Sequence, residues 1–437
     1  MDYRLNAVLN FDDISSMRFF LIGWMLLIGS CALVGQDEIY YEDHVYLDHI
    51  RAVKFHHNRL ITSQPIIDLE SSGQLILTFD DILGGDRDYT YSIVHCDKDW
   101  NPSDLTEMDY LRGFNDEEIR DYEYSNGTKI DYTYYRLAIP NEECGWIISG
   151  NYLLIVKDDE SDEIALTRRF MVADRKVSVG SEIRRSTQVG RLLFDQEIDL
   201  VIENRNYPIP SPQNEIFVTI LQNGRWDNAL TNISPRVSLG ERITFDQTKR
   251  SRFKGYNEFR GADLRTFRSR GLGVYSIDLM PDEINMILDL DIMRNNVIYR
   301  NYEDLNGEFI IETLEYPSDH IRSEYVNAFF TLESRDPIYN GDVYVIGDFT
   351  DWKCTDEFRL QYDQKRKVYH GSGLLKQGYY DYQYAILKDD DSLDIEHFEG
   401  SHYASLNQYH ILVYRRSFKE RYDELIAVSS FESVLGF

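Results

Sequence analysis

Between Tyr89 and Pro140 two strongly alternating limbs flank a polar excursion, and this stretch constrains the fold more than any other. Tyr89, Tyr91, Ile93 and His95 fall on one face at a period of two residues, and Thr90, Ser92, Val94 and Cys96 fall on the other. The chain returns as Ile130-Asp131-Tyr132-Thr133-Tyr134-Tyr135-Arg136-Leu137, again crowded with aromatic and β-branched residues. Side chains of this kind pack well across pleated strands and poorly along a helix. The same bias runs through all 437 residues, which include 32 tyrosines. An all-β protein follows, long enough for several cores of ordinary domain size.

Strand candidates set off by turn signals recur to the end of the chain. They divide into a β-sandwich over 45–175, a second over 176–318 and a third over 319–416, followed by a tail over 417–437. Short strands at this spacing suit immunoglobulin-like architecture. Met108, Leu111, Phe114 and Ile119 have a roughly helical period, which predicts a short helix within 106–120. In the tail Phe418, Tyr422, Leu425 and Ile426 do the same, which predicts a short C-terminal amphipathic helix. The third unit contains Gly347-Asp348-Phe349-Thr350-Asp351-Trp352 and resembles early-set sandwiches, a group that includes glycogen-binding modules. Those modules complete a sugar platform with a second ring from a later loop. The loop here, Asp389-Asp390-Asp391-Ser392-Leu393-Asp394-Ile395, has none, so Trp352 reads as a structural residue. That acidic loop lacks the glycine and spacing of an EF-hand.

Residues 1–36 read as an export signal. Arg18 precedes an apolar run from Phe19 to Ile28, and the small residues Gly29, Ser30 and Ala32 follow. Met17 competes with Met1 as the start, and Cys31 competes as a lipidation site. Export leaves Cys96, Cys144 and Cys354. Three scattered cysteines make no disulfide framework; Cys96 with Cys144 is one candidate pair, and three inert thiols are the alternative.

A formal charge of −29 argues against nucleic acid, because phosphate affinity needs clustered cations. One island reverses the sign: Lys249, Arg250, Arg252, Lys254, Arg260, Arg265, Arg268 and Arg270 stand against only Glu258 and Asp263. It either neutralises carboxylates of this chain or meets an acidic partner, with Arg250, Arg252, Arg265 and Arg268 as the candidate contacts. Neither a nucleophile elbow nor a zinc-binding His-Glu-x-x-His, phosphate loop or dinucleotide fingerprint is present. His95, Cys96, Asp97 and Asp99 are metal-ligand types, but a strand points His95 and Cys96 to opposite faces, so they read as a strand end and turn. No catalytic residue, metal, cofactor or small-molecule substrate is expected.

The runs His95-Cys96-Asp97-Lys98-Asp99-Trp100, Ser149-Gly150-Asn151-Tyr152-Leu153, Thr167-Arg168-Arg169-Phe170, Gln222-Asn223-Gly224-Arg225-Trp226-Asp227-Asn228-Ala229, Asn257-Glu258-Phe259-Arg260 and Lys376-Gln377-Gly378-Tyr379-Tyr380 occur in that order. Together they resemble the type IX secretion system plug proteins of Bacteroidota. The resemblance implies a non-enzymatic periplasmic protein that caps the large outer-membrane β-barrel translocon when no cargo is passing. It also implies that Trp100 and Trp226 are structural anchors. The competing expectation is a glycan-binding periplasmic or surface protein, suggested by the early-set segment.

Overall fold

The computed structural model describes residues 39–245, 251–317 and 319–433. The expected export signal over 1–36, with Cys31, and also Lys249 and Arg250, lie outside the described residues. The described residues from Tyr40 onward form one compact unit. Nearly all of its regular structure is strand, as the aromatic alternation predicts, and the helical segments are three or four residues long.

The first sandwich has a four-stranded sheet in the order Ile50–His57, Leu75–Asp81, Thr133–Ile139, Asp121–Tyr124. Opposite it, His44–Val45, Ile164–Ala173, Gly150–Asp158, Tyr89–Cys96 and Glu117–Glu118 pair in that order, and Ile66–Asp68 adds in parallel beside Ile164–Ala173. Tyr89, Tyr91 and Ile93 turn inward beneath Phe79, Tyr135, Tyr152 and Phe170. Phe79 and Tyr135 stack, and the Tyr89 ring meets both edge-on. Within 106–120 the helix is a single turn, Glu107–Tyr110, with Thr106 capped by Asp109. Leu111–Gly113 instead pairs as a strand with Cys144–Trp146, leaving Met108 and Phe114 in solvent.

Strand pairing divides the remaining chain differently from the expected break at 318. In the second sandwich one sheet runs Ser178–Arg185, Asp195–Glu203, Arg242–Phe245, Val237–Leu239, with Arg252–Lys254 added to Asp195–Glu203. The facing sheet runs Arg225–Ile233, Ile216–Gln222, Gln408–Arg415, Glu424–Glu432. Its core therefore joins Ile198, Val218 and Ile220 to Ile411, Val413 and Ile426 from the chain's last strands. The tail is accordingly a strand and not the expected helix. Leu425, Ile426, Ala427 and Val428 are buried against Gln408–Arg415, and Phe418, which supplies the helical spacing, stands 90 % exposed in the turn before it.

The third sandwich is inserted into the second. Its strands form one ten-stranded sheet: Arg260–Asp263, Gly378–Lys388, Gly341–Ile346, Arg359–Asp363, Val368–Lys376, Tyr325–Glu333, Ile284–Asp291, Val274–Leu279, with Phe309–Ile311 and Leu393–Asp394 also on Gly378–Lys388. Ala262 near one end and Val274 at the other share a single core with Phe330, Tyr380 and Tyr384. The segment 260–311 therefore belongs with the third unit, and 408–432 with the second. Local alternation marks strands but carries no record of which distant strand each one pairs with.

Candidate functional site: the junction of the three sandwiches

Residues from all three sandwiches line a cavity of about 300 Å³. The first sandwich contributes Lys54, whose side chain is almost fully buried. Its Nζ lies 2.6 Å from Glu308 Oε2 and 2.9 Å from Asp348 Oδ2, both from the third. It also sits 4.4 Å from the centre of the Phe309 ring. Burial works against the lysine's charge, but Asp348 and Glu308 overcome it and raise its pKa. Burial, reinforced by the Asp348 charge, likewise pushes the Glu308 carboxyl up against the pull of Lys54. Gln64 donates to the other Glu308 oxygen at 3.1 Å. Nearby, Arg168 of the first sandwich approaches Asp351 of the third at 3.3 Å.

The second sandwich enters through the hairpin between Ile216–Gln222 and Arg225–Ile233. Asn223 and Gly224 both have positive φ, the geometry of a tight hairpin turn. The next two side chains reach in opposite directions. Trp226 meets Trp100 of the first sandwich edge-on at 5.1 Å, and the Arg169 guanidinium lies 4.6 Å from the Trp100 ring and 5.2 Å from the Trp226 ring. Arg225 is buried, holds Asp227 through two hydrogen bonds, and lies 4.3 Å from the Trp352 ring of the third sandwich. Phe259 packs edge-on against the same indole, and a Cβ at Gly307 would come within 2.2 Å of it. Trp100, Trp226 and Trp352 thus make contacts between sandwiches, and the Trp352 ring carries Arg225 where a sugar platform would stand bare.

A second buried contact joins the first and third sandwiches. Asp80 accepts from Lys376 Nζ at 2.6 Å and from the Tyr325 hydroxyl at 2.6 Å, with the Tyr132 ring 3.9 Å from the lysine. Burial raises the Asp80 pKa and lowers that of Lys376. Such groups need one another, because an isolated buried charge is expensive.

The basic island is mostly neutralised from within. Arg252 pairs with Asp195 at 3.1 Å, Lys254 with Glu396 at 2.9 Å, and Arg265 with Asp263 and Glu312. Arg260 is buried between Asp291 and Glu399. Arg268 differs: its side chain is 80 % exposed and Glu315 is 3.8 Å away. Of the four candidate contacts, then, Arg252 and Arg265 are committed to carboxylates of this chain, Arg268 faces solvent, and Arg250 is outside the described residues.

The other candidates have local roles. His95 is buried, with Nδ1 2.9 Å from Ser103 Oγ. Asp97 accepts from the backbone of Asp99 and Asn101, which makes the turn that carries Trp100. Cys96 and Cys144 are both free and buried, so the candidate disulfide is not formed. Burial raises the Cys96 thiol to about 12 and the Cys144 thiol to about 11, which keeps both protonated at neutral pH. In the acidic hairpin Ser392 donates to Asp390, and Lys388 pairs with Asp394 at 2.7 Å.

Lys54, Asp80, Arg225, Glu308 and Asp348 carry these junctions, and sequence reasoning misses them as site residues. Most of their partners are remote in the chain, so no local spacing marks them. The one usable signal is indirect. Arg168, Arg169, Arg225, Trp226, Phe259 and Lys376 all sit inside runs that carry the family resemblance.

Residues 50–174 match the model of the type 9 secretion system plug protein 1st domain. Among solved structures, a hypothetical protein from Parabacteroides merdae ATCC 43184 is 29 % identical. The match covers 91 % of this chain and 100 % of that one, with a TM-score of 0.86. The comparison with curated proteins returns no match.

Proposed function

Over residues 50–174 the chain carries the first domain of the type 9 secretion system plug family, and from that premise we propose that it caps the periplasmic mouth of the outer-membrane translocon barrel while no cargo is passing. One observation supports the capping role beyond the family match: buried ion pairs lock the first and third sandwiches to each other. Lys54 with Glu308 and Asp348, and Lys376 with Asp80, make these bridges. A stopper that closes a wide pore has to resist bending, and joints made from buried paired charges oppose opening because separation would strand each charge. No helix among the described residues is long and apolar enough to cross a membrane. Periplasmic residence and docking to the barrel belong to this proposal. In its docked state the exposed Arg268 faces acidic groups of the barrel.

Affinity capture from a detergent extract of outer membranes tests the reading. Recovery of a very large β-barrel protein is the expected result. Capture without any barrel, or retention on α-glucan in place of it, would overturn the proposal.

A further inference from the structure

The strand Val274–Leu279 ends the ten-stranded sheet, with Ile284–Asp291 as its neighbour on one side. Its ladder fixes which backbone groups are left over. Met280 N–H donates to Glu283 O across the hairpin, so Met280 and Glu283 are a hydrogen-bonded pair. Antiparallel ladders alternate, which makes Asp278–Asn285 and Ser276–Ile287 the next bonded pairs in the same register. The N–H and C=O groups of Ile277 and Leu279 consequently point away from the sheet. Further along, at a bulge, the Tyr275 carbonyl accepts a hydrogen bond from Arg270 Nη1 at 3.0 Å in place of a neighbouring strand.

Most side chains along this edge are apolar. Tyr275 and Leu279 are 63 % and 62 % exposed, Leu272 is 64 % exposed and Met280 48 %. Ile277 packs against the core only in part, and among the described residues no strand pairs on its outer side. Open edges are usually blunted by charge or by shortness. Asp121–Tyr124, which ends another sheet, is four residues long and carries Asp121 and Glu123. The Val274–Leu279 edge is longer and bears one acid, Asp278. Arg270 beside it has no carboxylate within ion-pair distance among the described residues, although the chain as a whole carries a charge of −29.

We propose that Val274–Leu279 is a docking edge for an extended segment of a partner polypeptide, added as a further strand, with apolar side chains toward Ile277 and Leu279 and a carboxylate toward Arg270. Main-chain hydrogen bonds to Ile277 and Leu279 would supply the affinity of such an addition, and alternate side chains its selectivity. The assignment stands on the sheet edge and is independent of the translocon reading.

The probe is a blocked peptide of alternating Val and Thr, about eight residues to match a strand of ordinary length, with Asp at both ends. It is added at millimolar concentration to the intact protein. Amide hydrogen exchange at Ile277 and Leu279 is expected to slow by about tenfold or more. Leu279→Pro removes an N–H that the sheet does not use, so it should leave the melting temperature in place and abolish the protection. The same peptide N-methylated on alternate residues should give no protection, and Arg270→Glu should weaken binding several-fold. No slowing with the unmodified peptide overturns the proposal, and so does protection that persists in folded Leu279→Pro. Protection that appears on raising protein concentration alone would assign the edge to a second copy of this chain, and would equally overturn it.

Discussion

Lys376 Nζ and Asp80 Oδ2 are 2.6 Å apart, with both side chains at most 2 % exposed, and they belong to different sandwiches. Removing one partner leaves the other buried without compensation. Lys376→Met should therefore cost about 3–5 kcal/mol in urea unfolding. Adding Asp80→Asn should recover a large part of that loss, because Tyr325 can still donate to the amide oxygen. A double-mutant cycle without coupling would show that the pair does not act as a unit.

Asp381 predicts a fall in stability toward alkaline pH. Burial, with the Asp304 charge, pushes its carboxyl up to about 8, although the backbone N–H groups of Leu305 and Gly307 donate to it. Between the ordinary aspartate range and that value the unfolded chain ionises while the folded chain keeps its proton. Stability attributable to this group is thus full in acid and lost progressively as pH rises toward about 8. Asp381→Asn should flatten that slope in thermal melts from about pH 4 to about pH 8.

Glu399 acts in the opposite direction. Burial disfavours its charge, but Arg260 and Arg294 overcome this and hold the carboxyl down at about 2. Their nitrogens lie 3.0 Å and 2.6 Å from its oxygens. This stabilisation is present above the ordinary glutamate pKa and disappears as pH falls toward about 2. Glu399→Gln should remove the acid limb of the profile and cost about 3 kcal/mol or more at neutral pH.

Trp352→Ala should lower stability by about 3 kcal/mol, since it opens a hole against Arg225, Phe259 and Gly307. Affinity gels of α-glucan should run identically for the variant and the parent. Unchanged melting with lost glucan retention would return the residue to a sugar-binding role.

Arg265→Glu and Arg268→Glu should separate the two uses of the basic island. The first sets a carboxylate beside Asp263 and Glu312 and should lower the melting temperature. The second touches only Glu315 at 3.8 Å and should leave melting nearly unchanged. If the translocon reading holds, Arg268→Glu slows association and weakens its salt dependence. An unchanged association rate would remove Arg268 from the docking face.

How far the sequence reaches depends on the range of the interaction. Alternation between Tyr89 and Cys96 predicts both the strand and its buried face, since pleat geometry is local. Phe418, Tyr422, Leu425 and Ile426 mislead for the same reason: their spacing suits a helix, but Gln408–Arg415 offers Leu425 and its neighbours an unfilled sheet edge. The break at 318 fails because an inserted domain leaves no compositional scar at its two ends. At the junction, Trp100 and Trp226 can be read as anchors from the family runs, whereas Lys54 and Glu308 are 254 residues apart and nothing local joins them.

The insertion of the third sandwich also sets an order of events. As the chain emerges from its amino end, the first and third sandwiches have all their strands by residue 394, but the second still lacks Gln408–Arg415 and Glu424–Glu432. Its sheet of Arg225–Ile233 and Ile216–Gln222 must wait from Ile233 to Gln408 for its partners, a loop closure of high entropic cost. A chain stopped short of Glu424 would hold two finished domains and one with an open flank. The strand Glu424–Glu432 therefore covers the flank that Gln408–Arg415 would otherwise leave open.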